Sequence, residues 1–594
     1  MKQDIKMGKK WIFLAVCLLT VLSAKSQYVI KNPRELENLK KLPQEKVYVH
    51  HTGPLVFVGE YLKYAFYCFN TQSNKLSDIS YVGYVALVNE QGEYLLEQKI
   101  PLDEGVAQGD FFINTEVPSG NYKLLAYTQW MKNNGLDQVF KSDLVIVNPY
   151  QVDQSGLLHK ETGEVGLQES MTNTEQVMDS SIVQVRLNKT VFGTREKVKF
   201  TLRNYKAALG KGNYSLRIQK KSPFSVAPSM NAMEFVPAYL NVAKQINNEV
   251  GNYIFLPEQQ GELFFGKALD SETGNPSAGT RVVVSIPGNP YFLEAVKTNS
   301  DGGFYVYVHD DYKTAQVFFQ TDDDSRVRLE FGTPKKLNVS GLEFGRFELK
   351  PEFAEVIKER SVHNQIENQF FSVKPDSVIV ENVMRIIDRP SFGTFHLDDY
   401  TRFPTLQETM VEILSYVGFR NNGNGTDYIH VTQLSEDYSE DFIQTPSIVL
   451  VDGVFIPNHE VLKDFDARLI KTIRVSQEKF PLGDKTYQGM VQLETFEGDY
   501  FSTYEPSNGI KVPIQIPLPK KNYFQQSYDS GDSDSANIPD YRSLLFWAPH
   551  IEVGETDMEF EFFTSDLTGT FEVILDGFTS YGKPVYNKST IIVE

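Results

Sequence analysis

One pattern limits what this chain can fold into more than any other: a glycine turn that delivers a strand, written Gly-x-aromatic-x-aliphatic. It recurs as Gly120-Asn121-Tyr122-Lys123-Leu124, Gly212-Asn213-Tyr214-Ser215-Leu216, Gly302-Gly303-Phe304-Tyr305-Val306 and Gly569-Thr570-Phe571-Glu572-Val573. Successive side chains of a strand point to opposite faces, so each copy reads as a strand with one side in a core. A second turn repeats as Val56-Phe57-Val58-Gly59-Glu60-Tyr61-Leu62-Lys63 and Val191-Phe192-Gly193-Thr194-Arg195-Glu196-Lys197-Val198-Lys199. The 41 Phe and 31 Tyr reinforce strand over helix. The expected fold class is mainly β: a string of antiparallel β-sandwich domains plus one small α+β domain.

The repeats place sandwiches at 45–150, 181–258, 259–335 and 505–594, with the α+β domain over 336–504 and linkers at 27–44 and 151–180. Residues 1–26 have the anatomy of a secretory signal. Lys2, Lys6, Lys9 and Lys10 precede the apolar run Trp11–Ala24, and Ala24 and Ser26 form a small-x-small site. That run is shorter than the roughly 20 residues a bilayer span needs. Val16 before Cys17 is larger than a lipoprotein cleavage wants, and Met7 is an alternative start. Removing the signal takes away five Lys and one Asp, moving the formal charge from −19 to −23. Such a surface argues against nucleic acid and anionic membranes as partners. Cys68 is then the only cysteine; within Tyr64-Ala65-Phe66-Tyr67-Cys68-Phe69 it reads as a buried apolar thiol.

Inside the α+β domain, Ser447-Ile448-Val449-Leu450-Val451 and Val454-Phe455-Ile456 flank Asp452-Gly453. An Asp-Gly pair between β-branched runs signals a two-residue hairpin, because both residues tolerate positive φ. Strands follow at Leu469–Val475 and Gln488–Thr495. A helix is expected from Thr405, which forms a capping box with Glu408; Leu406, Met410, Ile413, Leu414 and Val417 fall on one face. A second helix is expected over Phe353–Ile366.

The order Val-Asp-Gly-Val, then Ile470-Lys471-Thr472-Ile473-Arg474-Val475, then Gly489-Met490-Val491-Gln492-Leu493-Glu494-Thr495 resembles the plug domain of TonB-dependent outer-membrane receptors, without their barrel. Lys46-Val47-Tyr48-Val49-His50, Gly59-Glu60, Ser119-Gly120-Asn121-Tyr122 and Ala126–Met131 resemble macroglobulin-type domains. Gly266-Lys267-Ala268-Leu269-Asp270 with Asp301-Gly302-Gly303-Phe304 is similar to the carboxypeptidase regulatory-like sandwich. Leu397–Thr405, Pro539-Asp540-Tyr541-Arg542, Phe546-Trp547-Ala548-Pro549 and Phe562–Asp566 complete the likeness, which covers most of the chain after the signal. It implies an exported protein at the outer membrane, beside uptake or export machinery.

Catalytic motifs are missing. The nine His include no His-Glu-x-x-His pair, and His50-His51 lie on one strand with side chains to opposite faces. No Gly-x-Ser-x-Gly elbow or phosphate-binding loop occurs, and Cys68-Phe69-Asn70 cannot be a thioester. Asp322-Asp323-Asp324 and Asp532-Ser533-Asp534 lack the rest of a calcium loop and read as solvated turns. Asp376-Ser377-Val378 and Asp534-Ser535-Ala536 match a short O-glycosylation acceptor pattern.

The expectation is therefore a non-enzymatic interaction protein of the periplasm or cell surface, with no catalytic residue, metal or cofactor. It would dock on an outer-membrane barrel or an uptake, export or assembly complex, and reach the membrane through that partner. Asp452, Gly453, Val454 and Phe455 are its candidate partner contacts. Two alternatives are a carbohydrate- or peptide-binding surface protein and an enzyme built on an unrecognised carboxylate pair.

Overall fold

The computed structural model describes residues 28–154, 156–158, 182–242, 244–309, 312–321, 326–379, 391–421, 423, 425–529 and 537–594. The expected signal, Asp322-Asp323-Asp324, Asp532-Ser533-Asp534 and Asp534-Ser535-Ala536 lie outside these residues, as does most of the linker 151–180.

The first sandwich spans Glu45–Val147. One sheet runs Leu55–Phe57, Phe140–Val147, Gly120–Tyr127, Val82–Asn89, Tyr94–Pro101; the facing sheet is built on Tyr61–Asn70, flanked by Glu45–His51 and by Lys75–Leu76 and Val106–Phe112. Tyr64, Phe66, Leu87, Leu124 and Phe140 are among the side chains that close its core. Within the expected linker 27–44, the residues from Tyr28 onward carry structure instead. Tyr28–Val29 pairs with Tyr253–Ile254, and Asn32 caps a helix over Pro33–Lys41 by accepting from Glu35 N.

The second and last sandwiches, expected at 181–258 and 505–594, are one domain. Gly212–Lys220 lies between Leu544–Val553 and Gly569–Thr579 in a five-stranded sheet, with Pro584–Val593 and Val191–Phe192 beyond. Lys197–Asn204 lies between Val183–Leu187 and Met558–Phe563 in the facing sheet. Phe200, Leu216 and Ile218 from the early half interleave with Phe562, Val573 and Leu575 from the late half. Neither half could bury its apolar face alone, which is the physical reason for the merger.

The remaining parts of those two spans go elsewhere. Phe235, just after a capping box at Asn231 and Glu234, packs against Tyr48 and Phe69 of the first sandwich at 5.2 and 5.8 Å between ring centroids. Gly509–Pro513 pairs with Gln316–Gln320 and so becomes the seventh strand of the third sandwich, whose other six lie within 262–332.

The α+β unit is compact over 392–504 rather than 336–504. Its sheet runs Phe392–His396, Ile470–Leu482, Lys485–Thr495, Ile448–Val451, Val454–Phe455, with Ile448–Val451 parallel to Lys485–Thr495. The helix from Thr405 forms over Leu406–Ile413, capped by Thr405 Oγ1 accepting from Glu408 N at 3.2 Å. It stops short of Val417, which already begins a strand. The other expected helix forms over Ala354–Gln369 and belongs to the first sandwich, where Val356 and Ile357 pack near Phe57 and Phe224. Among the described residues no helix is long and apolar enough to cross a membrane.

Candidate binding cleft

The hairpin residues offered by the sequence turn inward. Asp452 and Gly453 adopt φ of 48° and 86°, the turn expected between Val451 and Val454. The Asp452 carboxylate accepts from Thr495 N, Thr495 Oγ1 and Tyr500 N at 2.8, 2.6 and 3.1 Å. The turn docks on the third sandwich: Gly288 N donates to Asp452 O, and Gln320 Nε2 donates to Phe455 O at 2.7 Å. Asp452, Gly453, Val454 and Phe455 are all buried, so the surface they meet is their own chain's third sandwich, not another protein. Hydrophobic strands need cover, and here a neighbouring domain supplies it.

The histidines are also structural. His50 and His51 do point to opposite faces: His50 Nδ1 lies 2.6 Å from Ser215 Oγ, and His51 Nε2 lies 2.9 Å from Ser142 Oγ. Ser215 gives its proton to Asp576 O, so the His50 ring must donate to Ser215. That is the reverse of a general base activating a serine. Burial first, then the Arg217 charge, push both imidazoles well below their usual range, which keeps them neutral. Burial likewise raises the Cys68 thiol. Among the described residues no group of three or more His, Cys, Asp or Glu is placed to hold a metal ion.

Two carboxyls, Glu258 and Glu262, neighbour each other, but they are sealed between the first and third sandwiches. Glu258 accepts from Tyr84 OH, while Glu262 holds Lys99 Nζ and Tyr312 OH, both at 2.6 Å. Burial, then the Glu262 charge, raises Glu258 to about 8.

An open site forms where the first sandwich, the split sandwich and the helix Ala354–Gln369 meet. The cleft encloses about 200 Å³. Its wall is a series of closed ion pairs. Glu60, in the turn before Tyr61–Asn70, receives Arg360 through two bonds of 2.8 and 2.7 Å and Asn364 Nδ2 at 2.9 Å. Glu367 pairs with Lys374 at 2.7 Å, and Arg542 grips Asp540 through two bonds of 2.7 and 2.6 Å. Burial alone would raise Asp540; the Arg542 charge and hydrogen bonds outweigh it and hold the carboxyl low.

Lys63 differs. Its neighbours Asp110 and Asp376 are both taken by Lys521, at 2.6 and 3.7 Å. The Lys63 ammonium instead sits over the Tyr523 ring, 4.4 Å from its centroid, and burial lowers its pKa. Tyr61 and Phe371 stack at 5.7 Å and 16°, with Phe371 exposed. Trp547 also lines the cleft, and its buried Nε1 has no hydrogen-bond partner.

Sequence reasoning missed this cleft because five separate segments build it. Partial signals were present: Glu60 and Lys63 lie in the repeated turn, and Tyr541, Arg542 and Trp547 lie in two of the quoted landmarks.

No protein-family model matches the chain, and no curated protein matches it. Among solved structures, the Salmonella alpha-2-macroglobulin reacted with methylamine is 10% identical, covering 96% of this chain and 40% of its own, with a TM-score of 0.23. The native Escherichia coli alpha-2-macroglobulin is 8% identical, with coverages of 96% and 40% and a TM-score of 0.23. A tetra-tandem repeat from the extending region of a large adhesion protein is 6% identical, covering 93% of this chain and all of its own, at a TM-score of 0.13. The chain spans about 40% of the length of those macroglobulins. Likeness at these TM-scores assigns neither family nor activity.

Proposed function

We propose that this is a non-enzymatic binding protein, exported to the periplasm or cell surface, that works beside an outer-membrane barrel or an uptake, export or assembly complex. In this reading the sandwiches are of macroglobulin type, the third is carboxypeptidase regulatory-like, and the α+β unit is plug-like. One observation carries it: the accessible cleft is lined, among the described residues, by no His or Cys, and its carboxylates are held by cations. Carboxylates paired in this way can orient a ligand, and none of them is left free to act as a general base. Affinity capture with the full chain from detergent-solubilised outer membranes tests the partner. Recovery of a barrel protein is the expected result; a free monomer with no membrane protein attached opposes it.

The second reading, a carbohydrate- or peptide-binding surface protein, is favoured at ligand level by the stacked Tyr61–Phe371 pair at the same cleft, of which Phe371 is exposed. The two readings are compatible, since a scaffold can carry a small-ligand site. The raised Glu258 does not favour an enzyme, because it is sealed away from the cleft with 2% exposure.

A further inference from the structure

The cleft holds as many cations as carboxylates, but they pair unevenly: Lys521 takes both Asp110 and Asp376 and leaves Lys63 without a direct anionic partner. Glu60, Glu367, Asp540, Asp110 and Asp376 each have a basic partner, yet among the described residues the Lys63 ammonium makes no ion pair or hydrogen bond. A half-buried ammonium resting only on a ring face is under-satisfied, because a cation–π contact is weaker than a charge-assisted hydrogen bond to an anion. The indole N–H of Trp547, in the same lining, is a second donor without an acceptor. Around them stand Tyr61, Phe371, Tyr523 and Phe546, apolar surfaces that would cover the ligand body.

We propose that the cleft binds a small carboxylate, its oxygens on the Lys63 ammonium and its apolar or aromatic body against Tyr61 and Phe371. This rests on the reading of the cleft as a ligand site. The Lys63 ammonium, resting on a ring face, selects an anion, and the ring faces select one with an unsaturated or apolar group beside the charge. The volume of about 200 Å³ sets the size. It lies below the roughly 300 Å³ at which drug-sized sites begin, so a small free acid or the terminal residue of a peptide fits and a long oligosaccharide does not. Both sources present the same carboxylate.

The test uses the full chain and four probes: hippurate, hippuramide, the peptide Gly-Gly-Phe, and the same peptide amidated at its C-terminus. Calorimetry measures affinity, and indole fluorescence in a Trp130→Phe background reports events at Trp547. A carboxylate probe should bind, its amide about tenfold or more weaker. Lys63→Met should lose about the same factor, and Lys63→Arg should retain binding. Hippurate binding identifies a free-acid site; binding of the peptide alone identifies a chain terminus. Thermal unfolding shows whether Lys63→Met is folded, and the amide comparison on the wild-type chain stands if it is not. Equal binding of acids and amides leaves a ligand site but overturns the role of Lys63. If neither acids nor amides bind, the proposal and the ligand reading of the cleft fall together.

Discussion

The hydroxyl of Tyr48 donates to Asp576 Oδ2 across 2.5 Å, joining residues 528 positions apart. The same carboxylate accepts from Ala232 N at 3.1 Å, so the first sandwich, the split sandwich and the segment between them converge on one buried group. Tyr48 and Phe578 stand edge to face beside it at 5.4 Å.

Tyr48→Phe keeps the ring packing and removes this donor. It should cost about 1–3 kcal/mol, the penalty of leaving a buried acceptor short of a partner. Urea unfolding measures it. An unchanged midpoint would mean that water or Ala232 N satisfies Asp576 without the tyrosine.

Glu258 makes the junction between the first and third sandwiches sensitive to alkali. Its pKa is raised from 4.5 to about 8 by burial and by Glu262. Between those values the folded chain keeps a proton that the unfolded chain has released, so the stabilisation is complete below 4.5 and is lost as pH rises towards 8. The buried neutral histidines act oppositely: His459 and His550, both lowered to about 4, add stability as pH rises to 6.5. Glu258→Gln isolates the first effect. Between about pH 5.5 and about pH 8.5 the wild type should lose about 2–4 kcal/mol relative to the variant, read from paired denaturation curves.

Gly453 occupies positive φ, and a Cβ there would stand 2.7 Å from Tyr291 Cβ. Gly453→Ala should therefore cost about 1–3 kcal/mol in backbone strain alone, and the crowding should loosen the hairpin from the third sandwich. Hydrogen exchange at Gly288 N, which donates to Asp452 O, should rise in the variant. Protection equal to wild type would show that the sandwich gives way instead.

Arg360 fixes the helix Ala354–Gln369 to the first sandwich through Glu60 and lies over the Phe57 ring at 4.4 Å. The pair is 20% and 14% exposed. Arg360→Ala should therefore cost about 1–3 kcal/mol, less than the roughly 3–5 of a fully buried pair. Proteolysis should then begin within the helix before global unfolding.

The turn at Asp452-Gly453 was legible because its chemistry is local: two residues at positive φ leave few alternatives. The helix at Leu406–Ile413 was legible for the same reason, through its cap at Thr405. The role of the hairpin was not, since nothing in Val454 or Phe455 says whether another protein or a neighbouring domain will cover it. The glycine repeats at Gly212 and Gly569 each marked a strand, yet those strands are direct neighbours, with Leu216 opposite Leu575. Pairing over such a separation leaves no local trace, so two sandwiches were expected where one stands. The cleft escaped for a related reason. Lys63 is exceptional only because Lys521 claims Asp110 and Asp376 first.

The split sandwich also has a consequence in time. Ser215 meets the carbonyl of Asp576, 361 positions later. During synthesis the strands Val183–Leu187, Lys197–Asn204 and Gly212–Lys220 emerge with open edges, and the units between can close before them. The last strands to be made are the ones that seal the earlier ones. A prematurely released chain would thus carry sticky, unfinished edges that quality-control proteases can recognise, whereas a finished one hides them.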